Sequence, residues 1–282
     1  MLPAAGERHG RRTYTGAGRS PEPARGRVIV GAVLRAYAAG RLFGETSGEG
    51  PLAVLALHGW RRTHADFTPV LAPGLVGPGG PVSSLALDLP GFGASPEPPA
   101  AWGSPEYAAA LEPVLEAMSG PVVVLGHSFG GRVAVHLAAR RPDAVRALVL
   151  TGVPLVRLGQ PPHPALAYRL VRRLARAHLV PASRLEAARE RHGSEDYRVA
   201  RGVMREVLVR TLAERYEEPL GRLSCPVELI VGAGDRATPP AVAEAAAALV
   251  ASASCQLLEG VGHLTPLEAP SALRAAVARH LP

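Results

Sequence analysis

The sequence predicts an α/β fold built on a mostly parallel sheet of the eight-stranded type, flanked by helices and interrupted by one helical insertion. Three observations carry this reading. Short apolar runs alternate with amphipathic stretches at the rhythm of β-α-β units. A Gly-x-Ser-x-Gly pentapeptide, Gly126-His127-Ser128-Phe129-Gly130, falls between an apolar run and a helical stretch. Over residues 155–222 the strand rhythm stops, arginine and alanine dominate, and the rhythm then returns.

The elements follow in order. Residues 1–26 are polar and rich in Gly, Pro and Arg, and read as a disordered leader. Arg11-Arg12 is followed by no apolar stretch, so the leader does not read as a signal peptide. The core is expected in two parts, residues 27–154 and 223–282, with residues 155–222 as a helical cap inserted between strands. Residues 28–38 suggest one or two edge strands. Leu52–Leu57 is a buried strand ending at His58-Gly59-Trp60, and Ser84–Asp88 is the next, turning at Leu89-Pro90-Gly91-Phe92-Gly93. Residues 104–118 read as a helix with Ser104 as N-cap, Pro105 at the first position and Glu106 in the first turn. Val122–Leu125 has the β-branched bias of a parallel strand, and the helix after it ends before Pro142. Further strands are expected at Val145–Leu150, Val227–Val231 and about 254–258. Helices are expected at 240–250 and about 266–281.

Composition narrows the function. Among 282 residues, 47% are hydrophobic and no run approaches the ~18 apolar residues of a membrane span, so a globular cytoplasmic protein is expected. All 31 basic residues are arginine, for a net charge of +7. Residues 155–222 hold 14 Arg against 8 acids, but the two alternate at helical spacing, as a solvated helix face does. No nucleic-acid partner follows. Cys225 and Cys255 each stand near a predicted strand and are expected as reduced thiols. No metal cluster or nucleotide loop is present, so no cofactor and no metal are expected.

The pentapeptide carries chemistry. A serine in a tight strand-to-helix turn is held in a strained conformation, with its hydroxyl lifted clear of the sheet at the start of a helix. Free N–H groups there favour a developing oxyanion. Serine needs a histidine to take its proton and a carboxylate to orient that histidine. Such groups belong on loops beyond the carboxyl ends of strands. Two loops qualify: Gly232-Ala233-Gly234-Asp235, and Glu259-Gly260-Val261-Gly262-His263. Glu259 and Glu268 lie nearer His263 in sequence but fit a strand-end position less well than Asp235. His58 and His127 read as packing and hydrogen-bonding residues of their loops.

With HGW, DLPGFGAS, GHSFGG, GAGDRATPP and GVGH in this order, the chain from about residue 28 to 281 resembles the α/β-hydrolase superfamily. The resemblance implies Ser128 as nucleophile, His263 as general base, Asp235 as its orienting acid, and an oxyanion hole from the backbone N–H groups of Trp60 and Phe129. It also implies a small-molecule substrate, a monomer or homodimer, and cleavage of an ester or thioester of a small organic acid. Parts of the pattern resemble meta-cleavage hydrolases and the cyclohexadiene-carboxylate synthase of the menaquinone pathway, in which an arginine matching Arg132 follows the double glycine. A C–C hydrolase or lyase on an acidic substrate is therefore the alternative, and a non-catalytic binding member of the fold a second one. Tyr168, Tyr197 and Tyr216 are candidate pocket liners.

Overall fold

A computed structural model describes residues 33–282 apart from 73, 160–170, 172, 176, 178 and 193. The leader expected over residues 1–26 and the candidate pocket residue Tyr168 lie outside the described residues.

Among the described residues nine strands build one sheet: β1 (Leu34–Tyr37), β2 (Leu42–Ser47), β3 (Leu52–Leu57), β4 (Leu75–Gly77), β5 (Gly80–Asp88), β6 (Val122–His127), β7 (Val145–Thr151), β8 (Val227–Gly232) and β9 (Ala253–Leu258). Their order is β1-β2-β5-β3-β6-β7-β8-β9, with the short β4 paired antiparallel to β5. From β5 through β9 along this path the pairings are parallel, whereas β1 and β2 add an antiparallel edge. The expected eight-strand sheet is thus present with one additional three-residue strand.

Side chains alternate between the two faces of each strand, and both faces are buried. Leu55, Leu57, Val122, Val124, Leu148, Leu150, Leu229 and Val231 pack on one side. Val54, Ala56, Val123, Leu125, Val149 and Ile230 pack on the other. The continuous apolar runs of the sequence follow from this two-sided burial. Helix α1 (Thr68–Leu71) supplies Val70 and Leu71 to the second face, while α2 (Ser104–Glu116) and α3 (Phe129–Arg140) cover the first.

Between β7 and β8 come α4 (Ala182–His192), α5 (Glu195–Val199), α6 (Gly202–Ala213) and α7 (Glu217–Gly221). After β8 follow α8 (Pro240–Ala247), α9 (Thr265–Glu268) and α10 (Pro270–Ala278). The closing helix expected as one piece is divided, because Pro270 cannot donate the N–H that would continue α9. Helix α2 begins at Ser104 itself, with Gly103 as its N-cap; the Glu106 carboxylate accepts from the Gly103 N–H at 2.9 Å. The Ser104 hydroxyl instead bonds Tyr216 at 3.0 Å. Both cysteines are free thiols. No helix among the described residues is long and apolar enough to cross a membrane.

The chain leaves β3 toward β5 on one side and returns to β6 on the other. Crevices in open α/β sheets form at such a reversal, outside the carboxyl ends of the strands. The loops bearing Trp60 and Ser128 leave β3 and β6 at this end.

Candidate active site

Ser128 follows β6 directly and has φ 49 and ψ −112, a region that costs a residue with a side chain about 1–3 kcal/mol. Its backbone N–H is held by the Thr151 carbonyl at 2.9 Å, and its own carbonyl accepts from Gly131 at 3.1 Å. The surrounding glycines leave no room for side chains. A Cβ at Gly126 would lie 2.5 Å from the Gly131 Cα, and one at Gly130 would lie 2.1 Å from the Leu57 carbonyl oxygen. The strand and helix are packed main chain against main chain, so the strained serine is over-determined by its neighbours.

Asp235 lies just beyond β8 and is 3% exposed. One carboxylate oxygen accepts the N–H groups of Ala237 and Thr238 at 2.9 and 2.8 Å. The other faces His263 Nδ1 at 2.8 Å. Burial by itself would raise the pKa of Asp235; the hydrogen bonds from His263, Thr238 and Ala237 outweigh it and hold the carboxyl below its ordinary value. Because a carboxylate only accepts, His263 carries a proton on Nδ1 and leaves Nε2 available. The two loops run side by side, with the Gly234 N–H donating to the Val261 carbonyl at 2.9 Å. Gly152, with φ +59, makes space for the pair: its Cβ would come within 3.0 Å of the His263 ring and 3.3 Å of Asp235. Ser128 and His263 therefore converge on Thr151-Gly152. Among the described residues the Ser128 hydroxyl makes no hydrogen bond.

The loop after β3 lies alongside. A Cβ at Gly59 would be 3.4 Å from the Ser128 Cβ. Among the described residues neither the Trp60 nor the Phe129 backbone N–H takes part in a turn or loop hydrogen bond. The Trp60 ring packs edge-on against Phe92 and Phe129, with centroids 5.0 and 5.5 Å apart. His58 is fully buried, with Nδ1 bonded to the Gly59 carbonyl at 2.7 Å and Nε2 accepting the Leu89 N–H at 2.9 Å. Burial lowers its pKa to about 4, so it is neutral and ties two loops together.

Residues matching the alpha/beta hydrolase family model run from 54 to 276 and take in all of these loops. The chain belongs to the alpha/beta hydrolase family. Among relatives of this hydrolase, a pimeloyl-[acyl-carrier protein] methyl ester esterase from Chromobacterium violaceum is 34% identical over 231 residues, 70% of this chain and 81% of that one. Lipase LipV of Mycobacterium tuberculosis is 43% identical over 111 residues, a match spanning only 36% of this chain and 37% of the lipase. A thermophilic esterase from Thermogutta terrifontis shares the fold at TM-score 0.59 and 21% identity, over 88% of this chain and 97% of that structure.

Four further residues singled out in the sequence make defined contacts. Arg132 points both terminal nitrogens at main-chain carbonyls, Thr211 at 2.9 Å and Pro154 at 3.3 Å, with its guanidinium 5.6 Å from the Tyr216 ring centroid. Tyr216 bonds Ser104 and Glu214, and Tyr197 bonds Glu186, so both phenols are engaged. Glu268 does not face the His263 ring; it accepts the N–H groups of Gly262 and Leu264. Nothing in its spacing announced that role, nor the bond from His127 to the His263 carbonyl.

Proposed function

We propose that this alpha/beta hydrolase cleaves esters or thioesters of small organic acids, with Ser128, His263 and Asp235 as a catalytic triad. The observation that carries the reading is the strained Ser128 elbow beside an Asp235–His263 pair at 2.8 Å. Ser128 Oγ attacks the carbonyl carbon while His263 Nε2 accepts its proton. Asp235 keeps the proton on Nδ1 and stabilises the imidazolium. The negative oxygen of the tetrahedral intermediate receives the N–H groups of Trp60 and Phe129. Collapse expels the alcohol or thiol, which takes the proton from His263, and water then releases the acid by the same route. Residues 155–222 act as a cap in this reading. Their reach supports it, because Arg61 beside Trp60 pairs with Glu195 at 3.1 Å, and Met204 of α6 packs on Gly91.

Because the Chromobacterium relative is a pimeloyl-[acyl-carrier protein] methyl ester esterase, methyl esters come first in the substrate screen. The C–C hydrolase or lyase alternative drew in part on the position of Arg132, whose terminal nitrogens here bond two backbone carbonyls. The test is fluorophosphonate labelling with peptide mapping, alongside release of p-nitrophenol from short acyl esters. One adduct on Ser128, lost in His263→Ala, is expected. A folded protein that neither labels nor turns over esters would defeat the proposal.

A further inference from the structure

In the serine-hydrolase reading, on which this inference rests, the base must hold its place while its ring serves first Ser128 and then the leaving group. Asp235 restrains only the His263 ring. Its main chain is gripped separately. His127 Nε2 donates to the His263 carbonyl at 2.9 Å, and the Glu268 carboxylate accepts the N–H groups of Gly262 at 2.5 Å and Leu264 at 3.0 Å. Residue 263 is thus bracketed from both sides.

His127 is placed to do more than pack. It is 1% exposed, directly precedes Ser128, and its ring centroid lies 5.0 Å from that of His263. Its other nitrogen, Nδ1, is buried against Gly59, where a Cβ would approach to 2.9 Å. One imidazole touches the base loop and the loop leading to Trp60, and is joined by a peptide bond to the nucleophile. Burial foremost, and then the charge of His263, lower its pKa to about 4, so it remains a neutral donor whose proton is on Nε2.

We propose that His127 and Glu268 are positioning residues that clamp the main chain of His263, so that its ring keeps both Asp235 and a productive approach to Ser128. A purely local role for Glu268 is the competing explanation. It ends the four-residue α9, whose N-cap is Leu264, and a carboxylate reaching back to an N-cap N–H is an ordinary way to start a helix. The two roles differ in what they move. A helix-start bond changes stability, whereas a clamp changes kcat through His263.

The experiment measures kcat, KM, Tm and the rate of fluorophosphonate labelling for the full chain and its Glu268→Ala, Glu268→Gln, His127→Phe and His127→Gln variants, and ester turnover for each of them with His263→Ala added. Glu268→Ala is expected to lower kcat about tenfold to a hundredfold with KM within about twofold, as small misplacements of a catalytic group do. Glu268→Gln keeps one acceptor oxygen and should recover part of the loss. His127→Gln, whose amide donates to a carbonyl, should outperform His127→Phe. With His263→Ala present, none of the four should lower the residual ester turnover further, because a residue acting through His263 has nothing left to position. Glu268 is exposed, so its variants remain informative even where a change at buried His127 prevents folding. A fall in Tm with unchanged kcat, or the same loss in the His263→Ala background, would overturn the clamp alone. A wild-type chain that neither labels at Ser128 nor turns over esters would overturn the serine-hydrolase reading and the clamp with it.

Discussion

At the carboxyl ends of β6 and β8 the chain is held by its own backbone, whereas the helices between β7 and β8 bury Met204, Val207, Tyr216 and Leu220 in the core and tie their outer faces with long side chains. Around Ser128 the contacts are glycine against carbonyl at distances that admit no Cβ, and N–H to carbonyl bonds near 3 Å. In the inserted helices the ties are arginine to carboxylate: Arg205 to Glu186, Arg210 to Glu106, Arg61 to Glu195 and Arg222 to Glu218. Backbone contacts are short, directional and intolerant of substitution. Ion pairs between half-exposed side chains give little net stability and weaken with salt. The site loops therefore sit on rigid elements, while the ion pairs on the outer faces of the helices between β7 and β8 add little to their hold.

The largest effect expected from this contrast is catalytic. Ser128→Ala should lower kcat on p-nitrophenyl esters by at least about 10⁴-fold with little change in Tm, since the alanine removes only a half-buried hydroxyl. Retained turnover would place the reaction elsewhere. Next comes a packing change. Gly130→Ala should cost roughly 3 kcal/mol, a Tm drop of about 6–12 °C, because the new Cβ meets the immobile Leu57 carbonyl. A Tm within about 2 °C of wild type would show that the elbow backbone yields more readily than these contacts imply.

Acidification probes the same region through His58. Its folded pKa, about 4, lies below the ordinary histidine value, so between roughly pH 6.5 and 4 the unfolded chain binds a proton that the folded chain refuses. Stability from this group is full above that window and falls as pH drops through it, by up to about 3 kcal/mol. His127, lowered to the same value, adds a similar term. Asp235, held below the ordinary carboxylate value, loses its contribution only at still more acid pH. The curve of Tm against pH should be shallower in His58→Gln than in wild type between pH 7 and 4. Parallel curves would mean that His58 is not kept neutral by burial. The smallest effect belongs to the inserted helices: Arg210→Ala, breaking the pair with Glu106, should cost under about 1 kcal/mol, and the loss should shrink in high salt.

Much of this arrangement was legible in the residues. The apolar runs at Leu52–Leu57, Val122–Leu125, Val145–Leu150 and Val227–Val231 all became sheet strands, because a sheet buried on both faces demands continuous hydrophobicity. Glycine spacing around Ser128 foretold the elbow for a steric reason that the backbone contacts bear out. Asp235 and His263, chosen as residues past strand ends, do meet. Less legible was β2, Leu42–Ser47, whose glycine, glutamate, threonine and serine conceal an antiparallel edge strand. Ser104 looked like an N-cap, yet tertiary contact with Tyr216 claimed its hydroxyl. Arg132 matched the synthase arginine in position, and the end of α6 and the loop after β7 hold its two terminal nitrogens.

Local chemistry accounts for what the sequence alone determined: alternation and apolar run length select strands and helices, and glycine beside serine permits a turn that other residues sterically forbid. The partners of each polar side chain were decided only by the tertiary structure. His127 and His263 are 136 residues apart, and no periodicity relates them. Their hydrogen bond exists because β6 and β9 end on the same side of the sheet, and a buried donor must take whichever acceptor the assembled fold places within reach.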